Sequence, residues 1–426
     1  MKNSANDAPM EFEKKRRISL AAGIVLNLLG GVSYAWSVFV LPLNEKFGWS
    51  LSRLAIAYTM LSLTMLVCNM TVIPFLRRRM TLRKILFLGG LMYGGGIAAS
   101  GYMPDIWLFY LMYSIIGGIG NAMIYPVLIA YSQESFPEKP GFASGMMAAG
   151  LGLGSVVIAA LAQWLFTLTG DVSRAMLIMG IGFMAGIIVA ALFVYEVPEG
   201  FREYMAGRGK DSPDVRAAAP WLYEKPRREM LKDPLFYMLY PCVILGAVCG
   251  TMIITQGSPV MQETFGMQAG AAAAVVSVFS LANTLGRPVW GRISDMIGRL
   301  RSFILLHSVM AASMLTLFLC RIEIIFIFAL MMAMLCFGGI ATLVAPVTAD
   351  FWGTRYITEN YGITFSVFGM SSLIGAPFIA AVQEKTGSYD MAFMAGFIMA
   401  TAGLILAVIM LRRTDVIRRG LKEERR

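Results

Sequence analysis

Twelve runs of apolar residues constrain this chain more than any other feature. They fall at about 18–41, 52–75, 84–102, 106–131, 142–168, 174–195, 234–257, 268–291, 302–320, 324–349, 361–384 and 388–411. A hydrocarbon layer about 30 Å thick is crossed by a helix of roughly 20 residues. Lipid offers no partner for backbone N–H and C=O groups, so apolar runs of this length are expected to be helices. Composition agrees: 57% of the residues are hydrophobic and 15% charged, where a soluble chain carries about 25% charge. The expected class is an all-α membrane protein with twelve transmembrane helices. A polar stretch, 196–233, with Pro213, Pro220 and Pro226, separates the sixth run from the seventh. The organisation read from this is a polar N-terminal tail (1–17), a six-helix half (18–195), a cytoplasmic linker (196–233), a second six-helix half (234–411) and a C-terminal tail (412–426).

The formal charge of +10 invites a nucleic-acid reading, but its distribution argues against one. With the N-terminus placed in the cytoplasm, 30 of the 36 lysines and arginines fall on cytoplasmic segments and 5 on outer ones. The excess of basic residues on inner loops orients membrane proteins and needs no polyanion to explain it. A multi-pass protein of the inner (cytoplasmic) membrane with both termini inside is expected. No cleavage-site pattern follows the first run, so no signal peptide is read.

The remaining basic residue is Arg287, inside the eighth run. It sits about 12 Å of helix before Asp295 at ~1.5 Å per residue, which places it within the hydrocarbon layer. A guanidinium keeps its proton and is costly there, so it calls for a water-filled cavity and an anionic partner. The competing reading is a buried arginine paired to a neighbouring helix. Asn283 lies four residues earlier and shares its helix face. Arginine grips a carboxylate through two parallel N–H groups, and asparagine holds an adjacent hydroxyl or carbonyl. Pro288 removes the helical donor to the Thr284 carbonyl. Of 26 aspartates and glutamates, none lies in the middle of a run.

Other residues read more plainly. The five cysteines all lie in apolar segments without metal-ligand spacing and are expected to be buried small hydrophobes. His307, the single histidine, is expected to pack rather than relay protons. Trp36, Trp49, Trp107 and Trp352 are expected at the membrane interfaces. Gly118 and Pro126 match Gly338 and Pro346 at an offset of 220 residues, and Gly141 and Gly154 match Gly362 and Gly375 at 221. Such repeats occur in carriers that alternate access around a midplane site.

After the eighth run stands Gly291-x-x-x-Asp295-x-x-Gly298-Arg299-x-Arg301. Asp295 ends one helix and the basic residues lead into the next, a charge clasp able to hold two half-bundles closed on the cytoplasmic side. This resembles the signature of the major facilitator superfamily, whose fold is two pseudo-symmetric six-helix halves. The loop after the second run keeps Arg77, Arg78, Arg79, Arg83 and Lys84 but has Arg78 where the family's acid stands, so no matching clasp is expected in the N-terminal half. Gly31 through Pro42, Phe47-Gly48-Trp49-Ser50, Ser135 through Gly145, Gly286-Arg287-Pro288 and Asp350 through Gly362 together resemble the oxalate–formate antiporter family and the monocarboxylate transporters.

The resemblance implies roles position by position. The carboxylate-binding arginine falls on Arg287 and a polar neighbour on Asn283. The aromatic lining falls on Tyr34 and Tyr125, and a tryptophan position falls near Phe337. Phe368 occupies the place of the second cation, a lysine, in the oxalate exchangers. The implied function is a secondary active carrier, not an enzyme, for a small organic monocarboxylate such as lactate, pyruvate, formate or glyoxylate. A co-transported proton or a counter-anion is the implied partner, with no cofactor and no metal. The alternatives are an oxalate-type anion exchanger and a non-transporting sensor on a transporter fold.

Overall fold

The computed structural model describes residues 4–31, 36–201, 204–205 and 224–424. Tyr34 and most of the linker lie outside the described residues. Contact clustering divides the chain into two compact units: Met1–Ala218 with Ile357–Ile363, and Ala219–Tyr356 with Thr364–Arg426. Among the described residues there are helices and no strands.

Unit 1 begins with α1 (Ser4–Leu29), which starts inside the segment read as a polar tail. The reason lies in its packing. Phe12 is buried against the ring of Phe201, with centroids 4.7 Å apart, and Arg16 pairs with Glu138 at 2.6 Å. The first apolar run is therefore not one helix: α1 stops at Leu29 and α2 covers Ser37–Phe47. Next come α3 (Leu51–Met70), α4 (Val72–Arg77) and α5 (Leu82–Ser100). The fourth run is built in pieces: α6 (Ile106–Phe109), a π-helical stretch (Tyr110–Ile116), α7 (Gly117–Ala122) and α8 (Tyr125–Ser135). Then α9 (Pro140–Thr169) and α10 (Val172–Ala191) close the unit. The Gly30 carbonyl, at the end of α1, accepts from the Tyr93 hydroxyl at 3.0 Å, so the interrupted helix keeps a partner.

Unit 2 holds α11 (Arg227–Met230), α12 (Pro234–Phe265), α13 (Ala269–Ile297), α14 (Arg299–Leu319), α15 (Glu323–Trp352), α17 (Val367–Thr386) and α18 (Asp390–Glu424). The short helix α16 (Ile357–Phe365) precedes α17 and begins in the segment grouped with unit 1. Among the described residues, each apolar run lies mainly on helix. Eight helical stretches among the described residues are long and apolar enough to cross a membrane. Large apolar side chains stand open on their surfaces, among them Val156 (64% exposed) and Ile324 (76%), which fits a surface wetted by lipid rather than water.

Three tryptophans depart from expectation. Trp36, Trp49 and Trp352 are buried rather than anchored at an interface, while Trp107 is exposed. Trp36 and Trp49 join an aromatic cluster with Phe109 and Tyr113, where ring stacking competes well with an interfacial position. The Trp352 indole donates to Asp233 at 3.1 Å, and the same carboxylate takes Lys225 at 2.7 Å and the Leu235 amide at 3.0 Å. Four of the five cysteines are buried as expected, and Cys320 is partly exposed. The Cys242 and Cys249 thiols donate to the Gly403 and Gly396 carbonyls.

Candidate functional site

The best-defined candidate site lies in unit 2 and is built on the seam between α13 and α15. A Cβ at Gly338 would stand 2.0 Å from the Asn283 carbonyl oxygen, and one at Gly286 would stand 2.2 Å from that of Leu335. Both positions must be glycine for the backbones to touch there. On the same seam Gly339 receives the ring of Trp290, whose Cδ1 is 2.4 Å from a would-be Cβ. Arg287 and Asn283 leave α13 on either side of Gly286, one turn apart, and are 3% and 8% exposed. Pro288 does not interrupt α13, which runs on to Ile297. The seam explains this, since a helix clamped along its length loses one hydrogen bond at proline without unravelling.

From α15 comes Phe337, buried, and from α17 comes Phe368, half-buried; their rings meet edge to face with centroids 6.2 Å apart. The Phe368 carbonyl accepts from both the Ser371 and Ser372 hydroxyls. Tyr125 belongs to unit 1, where it is the buried first residue of α8. Unit 2 carries Arg287 and Asn283 on α13, Phe337 on α15 and Phe368 on α17, and Asn283 meets α15 at Gly338, the residue after Phe337. A guanidinium one turn from an amide suits a carboxylate.

The residues of the charge clasp also gather in unit 2. Arg299 reaches Asp295 at 2.6 Å, Asp350 at 3.3 Å and the Ser294 hydroxyl at 2.6 Å. Gly298 carries φ 92° at the corner between α13 and α14, a region that favours glycine. The Gly291 carbonyl accepts from Ser294 at 2.8 Å, and Arg301 is exposed. The ion pairs of Arg299 join α13, α14 and α15 within unit 2, the second acid being Asp350 at the end of α15.

A correction concerns unit 1, where no matching clasp was expected. Arg77 reaches Glu196 at 3.2 Å and Glu134 at 3.6 Å, and Arg78 reaches Glu359 at 2.6 Å. The acids come from the end of α8, from beyond α10 and from α16, not from the loop itself. Nearby sequence therefore gives no sign of them.

His307 is fully buried, with Nδ1 2.9 Å from the Phe303 carbonyl and Nε2 3.0 Å from that of Cys242. This is a packing environment, in line with expectation. Sequence reasoning missed Gly250, against which Phe337 lies: a Cβ there would be 2.1 Å from the ring. A signal was present in Gly246-x-x-x-Gly250, the spacing that lets helices approach closely.

The comparisons with known proteins agree with the geometry. The family model described as Major Facilitator Superfamily matches residues 20–376, and matches again over 247–426. The oxalate:formate antiporter of Oxalobacter formigenes is 26% identical over 397 residues, covering 92% of this chain and 90% of its own. Monocarboxylate transporter 12 of Rattus norvegicus is 23% identical over 399 residues, with 87% and 80% covered. The crystal structure of the fucose:proton symporter of E. coli superposes with TM-score 0.69 at 12% identity, over 93% of this chain and 99% of that one. At that identity the match speaks for the fold alone.

Proposed function

We propose, from the premise that this chain belongs to the Major Facilitator Superfamily and is a multi-pass membrane transporter, that it carries a small organic monocarboxylate by alternating access. The observation that carries the reading is Arg287, 3% exposed on a helix inside an apolar run and one turn from Asn283. Its guanidinium takes the carboxylate through two parallel N–H groups, and Asn283 takes a neighbouring oxygen. Phe337 and Phe368 face the tail of the substrate, and the resemblance to the monocarboxylate transporters assigns aromatic lining roles to Tyr125 and to Tyr34, which lies outside the described residues. Gly291, Asp295, Gly298, Arg299 and Arg301 form the cytoplasmic gate. The two halves are 18–195 and 234–411, joined by the linker 196–233, in an inner membrane with both termini in the cytoplasm. The names of the two curated relatives, one for oxalate and formate and one for monocarboxylates, support a carboxylate substrate.

Specificity follows from charge count. Each carboxylate entering a low-dielectric cavity needs compensation, and Phe368 stands where a second cation would be needed. One carboxylate is therefore preferred over two. The relative named for oxalate:formate exchange favours a second reading, an anion exchanger. The substrate either crosses with a proton on its own carboxylate or exchanges against another anion at Arg287, since His307 is enclosed between two carbonyls and Asn283 does not titrate.

The test is uptake of labelled lactate, pyruvate, formate and oxalate into proteoliposomes. Arg287→Lys keeps the charge and loses the planar fork. It should cut uptake more than about tenfold with normal folding. Near-normal uptake, or oxalate bound more tightly than every monocarboxylate, would overturn the assignment. An inward proton gradient without internal anion separates the two coupling modes: accumulation means proton symport, and empty vesicles mean exchange.

A further inference from the structure

Gly250 is where α12 meets the ring of Phe337. A Cβ built there would lie 2.1 Å from Cδ2, 2.3 Å from Cγ and 2.7 Å from Cβ of that phenylalanine. These are the inner atoms of the side chain, fixed by the backbone of α15, and a change of rotamer does not clear all of them. The backbone of α15 cannot withdraw either, because it is pressed on α13 at Leu335 and Gly338, on either side of Phe337.

The opposite aromatic wall is tied to the same place. Thr251, the next residue of α12, donates from its hydroxyl to the Ser371 carbonyl at 3.1 Å. A Cβ at Gly375 would stand 2.2 Å from that hydroxyl oxygen, so α17 rests directly on Thr251. Phe368 lies less than one turn before Ser371, and its ring is edge to face with Phe337. Two consecutive residues of α12 thus fix both rings, one by having no side chain and the other by a hydrogen bond.

We propose that Gly250 is a positioning residue that sets the size limit of the substrate, by fixing how far Phe337 withdraws from Phe368. The proposal rests on the reading of Phe337 and Phe368 as the wall facing the substrate's tail. The chemical class it names is the short, unbranched monocarboxylate. A methyl group at position 250 pushes Phe337 off α12 and moves it against Phe368, whose ring it already meets edge to face. Packed interiors feel a single added carbon because there is no slack to absorb it.

The experiment measures kcat/KM for formate, acetate, pyruvate and a branched 2-oxo acid in proteoliposomes, with the full-length chain and four variants. Gly250→Ala should leave formate near wild type and lower pyruvate about tenfold, the scale on which one carbon is discriminated in an apolar pocket. Phe337→Ala should admit the branched acid. The double variant Gly250→Ala with Phe337→Ala loses the two closest contacts, at Cδ2 and Cγ, and should restore pyruvate. Gly246→Ala is the control on the same helix. Its Cβ would meet the Ile340 Cδ1 at 2.5 Å and the His307 ring at 3.0 Å rather than Phe337, so it should lower melting temperature without changing the order of substrates. If Gly250→Ala folds poorly, the double variant against Phe337→Ala alone gives the reading: a methyl at 250 that still shifts the order of substrates without the ring overturns the proposal.

A substrate order unchanged by Gly250→Ala, or changed equally by Gly246→Ala, overturns the proposal while leaving the monocarboxylate reading intact. If wild type moves none of the four acids, that reading fails and the size limit falls with it.

Discussion

The fourth and tenth apolar runs carry the same marks 220 residues apart, Gly118 with Pro126 and Gly338 with Pro346, yet they fold differently. In unit 1 the run is broken into α6, a π-helical stretch, α7 and α8, with Pro126 in the first turn of α8. In unit 2 it is one helix of 30 residues with Pro346 inside it. Three features separate them. The unit 1 segment has glycine at 117, 118 and 120 where unit 2 has it at 338 and 339, and each glycine within a helix costs up to about 1 kcal/mol relative to alanine. Gly120 is forced against the backbone of α5, 2.3 Å from the Tyr93 nitrogen for a would-be Cβ. In unit 2 Thr342 and Thr348 return hydroxyl bonds to carbonyls of their own helix, and the seam with α13 holds the helix straight. A glycine–proline pair marks where a helix is permitted to break. The neighbouring helix decides whether it does.

The sharpest way to break the comparison is to add a methyl group at each matched glycine. At Gly338 the new carbon would be 2.0 Å from the Asn283 carbonyl, backbone that has no escape. Gly338→Ala should cost about 3 kcal/mol or more and take transport with it. At Gly118 the nearest atoms are Thr64 Cβ at 3.0 Å and Cγ2 at 3.1 Å and the Leu61 carbonyl oxygen at 3.3 Å, contacts relieved by a shift of a few tenths of an ångström. Gly118→Ala should change stability by no more than about 1 kcal/mol, since the gain in helix propensity offsets the crowding. Thermal melts in detergent decide it; equal losses would show that the two seams are equally tight.

The charge clusters offer a second contrast. Arg299 and Asp295 are 10% and 11% exposed at the side chain, Arg77 and Glu196 22% and 42%. Removing Arg299 strands two shielded carboxylates, so Arg299→Ala should cost about 3 kcal/mol. Arg77→Ala should cost about 1 kcal/mol, because its nearer partner, Glu196, is 42% exposed and screened by water. Chemical denaturation of the two variants gives the ranking, and a larger loss at Arg77 would reverse it.

The prolines should separate by a smaller margin. Pro126, in the first turn of its helix, lacks a donor that has no partner there in any case. Pro126→Ala should therefore leave the melting temperature within a few degrees. Pro346→Ala should restore a donor to the Thr342 carbonyl and stabilise unit 2 by about 1 kcal/mol; an earlier melt would overturn this.

Much of this was legible in the chain and some was not, for physical reasons. Apolar length located the long helices, because lipid leaves the backbone no other choice, but not the start of α1 or the short α11, which lie in polar sequence. Arg287 was legible because a guanidinium in an apolar run has few uses. The breaks within the first and fourth runs were not, since Gly30, Gly31 and Gly120 read equally well as smooth packing positions. Glu134 and Glu359 escaped because their arginine partners are 57 and 281 residues away in sequence, and charge pairing over such distances leaves no periodic trace. Trp352 was misplaced because its partner, Asp233, caps a different helix.

The smallest expected effect concerns that cap. Burial pushes the Asp233 carboxyl up, but bonds from Lys225, the Leu235 amide and the Trp352 indole outweigh it and hold the group below its ordinary value. A depressed carboxyl stabilises the fold above its unfolded pKa of about 4, and that contribution is lost as pH falls below it. Asp233→Asn should lower the stability of unit 2 at neutral pH by about 1 kcal/mol and leave the acid end nearly unchanged, which flattens the acid limb. A mutant that follows the wild-type acid limb would move the acid sensitivity to another group.

The burial of the thiols has a practical consequence. Cys68, Cys242, Cys249 and Cys336 are shut inside helix packing, while Cys320, at the end of α14, is partly open. A maleimide dye or nitroxide offered to the wild-type chain under native conditions should attach at that one position. Fluorescence or spin-echo measurements can then follow the end of α14 through a transport cycle without first building a cysteine-free background.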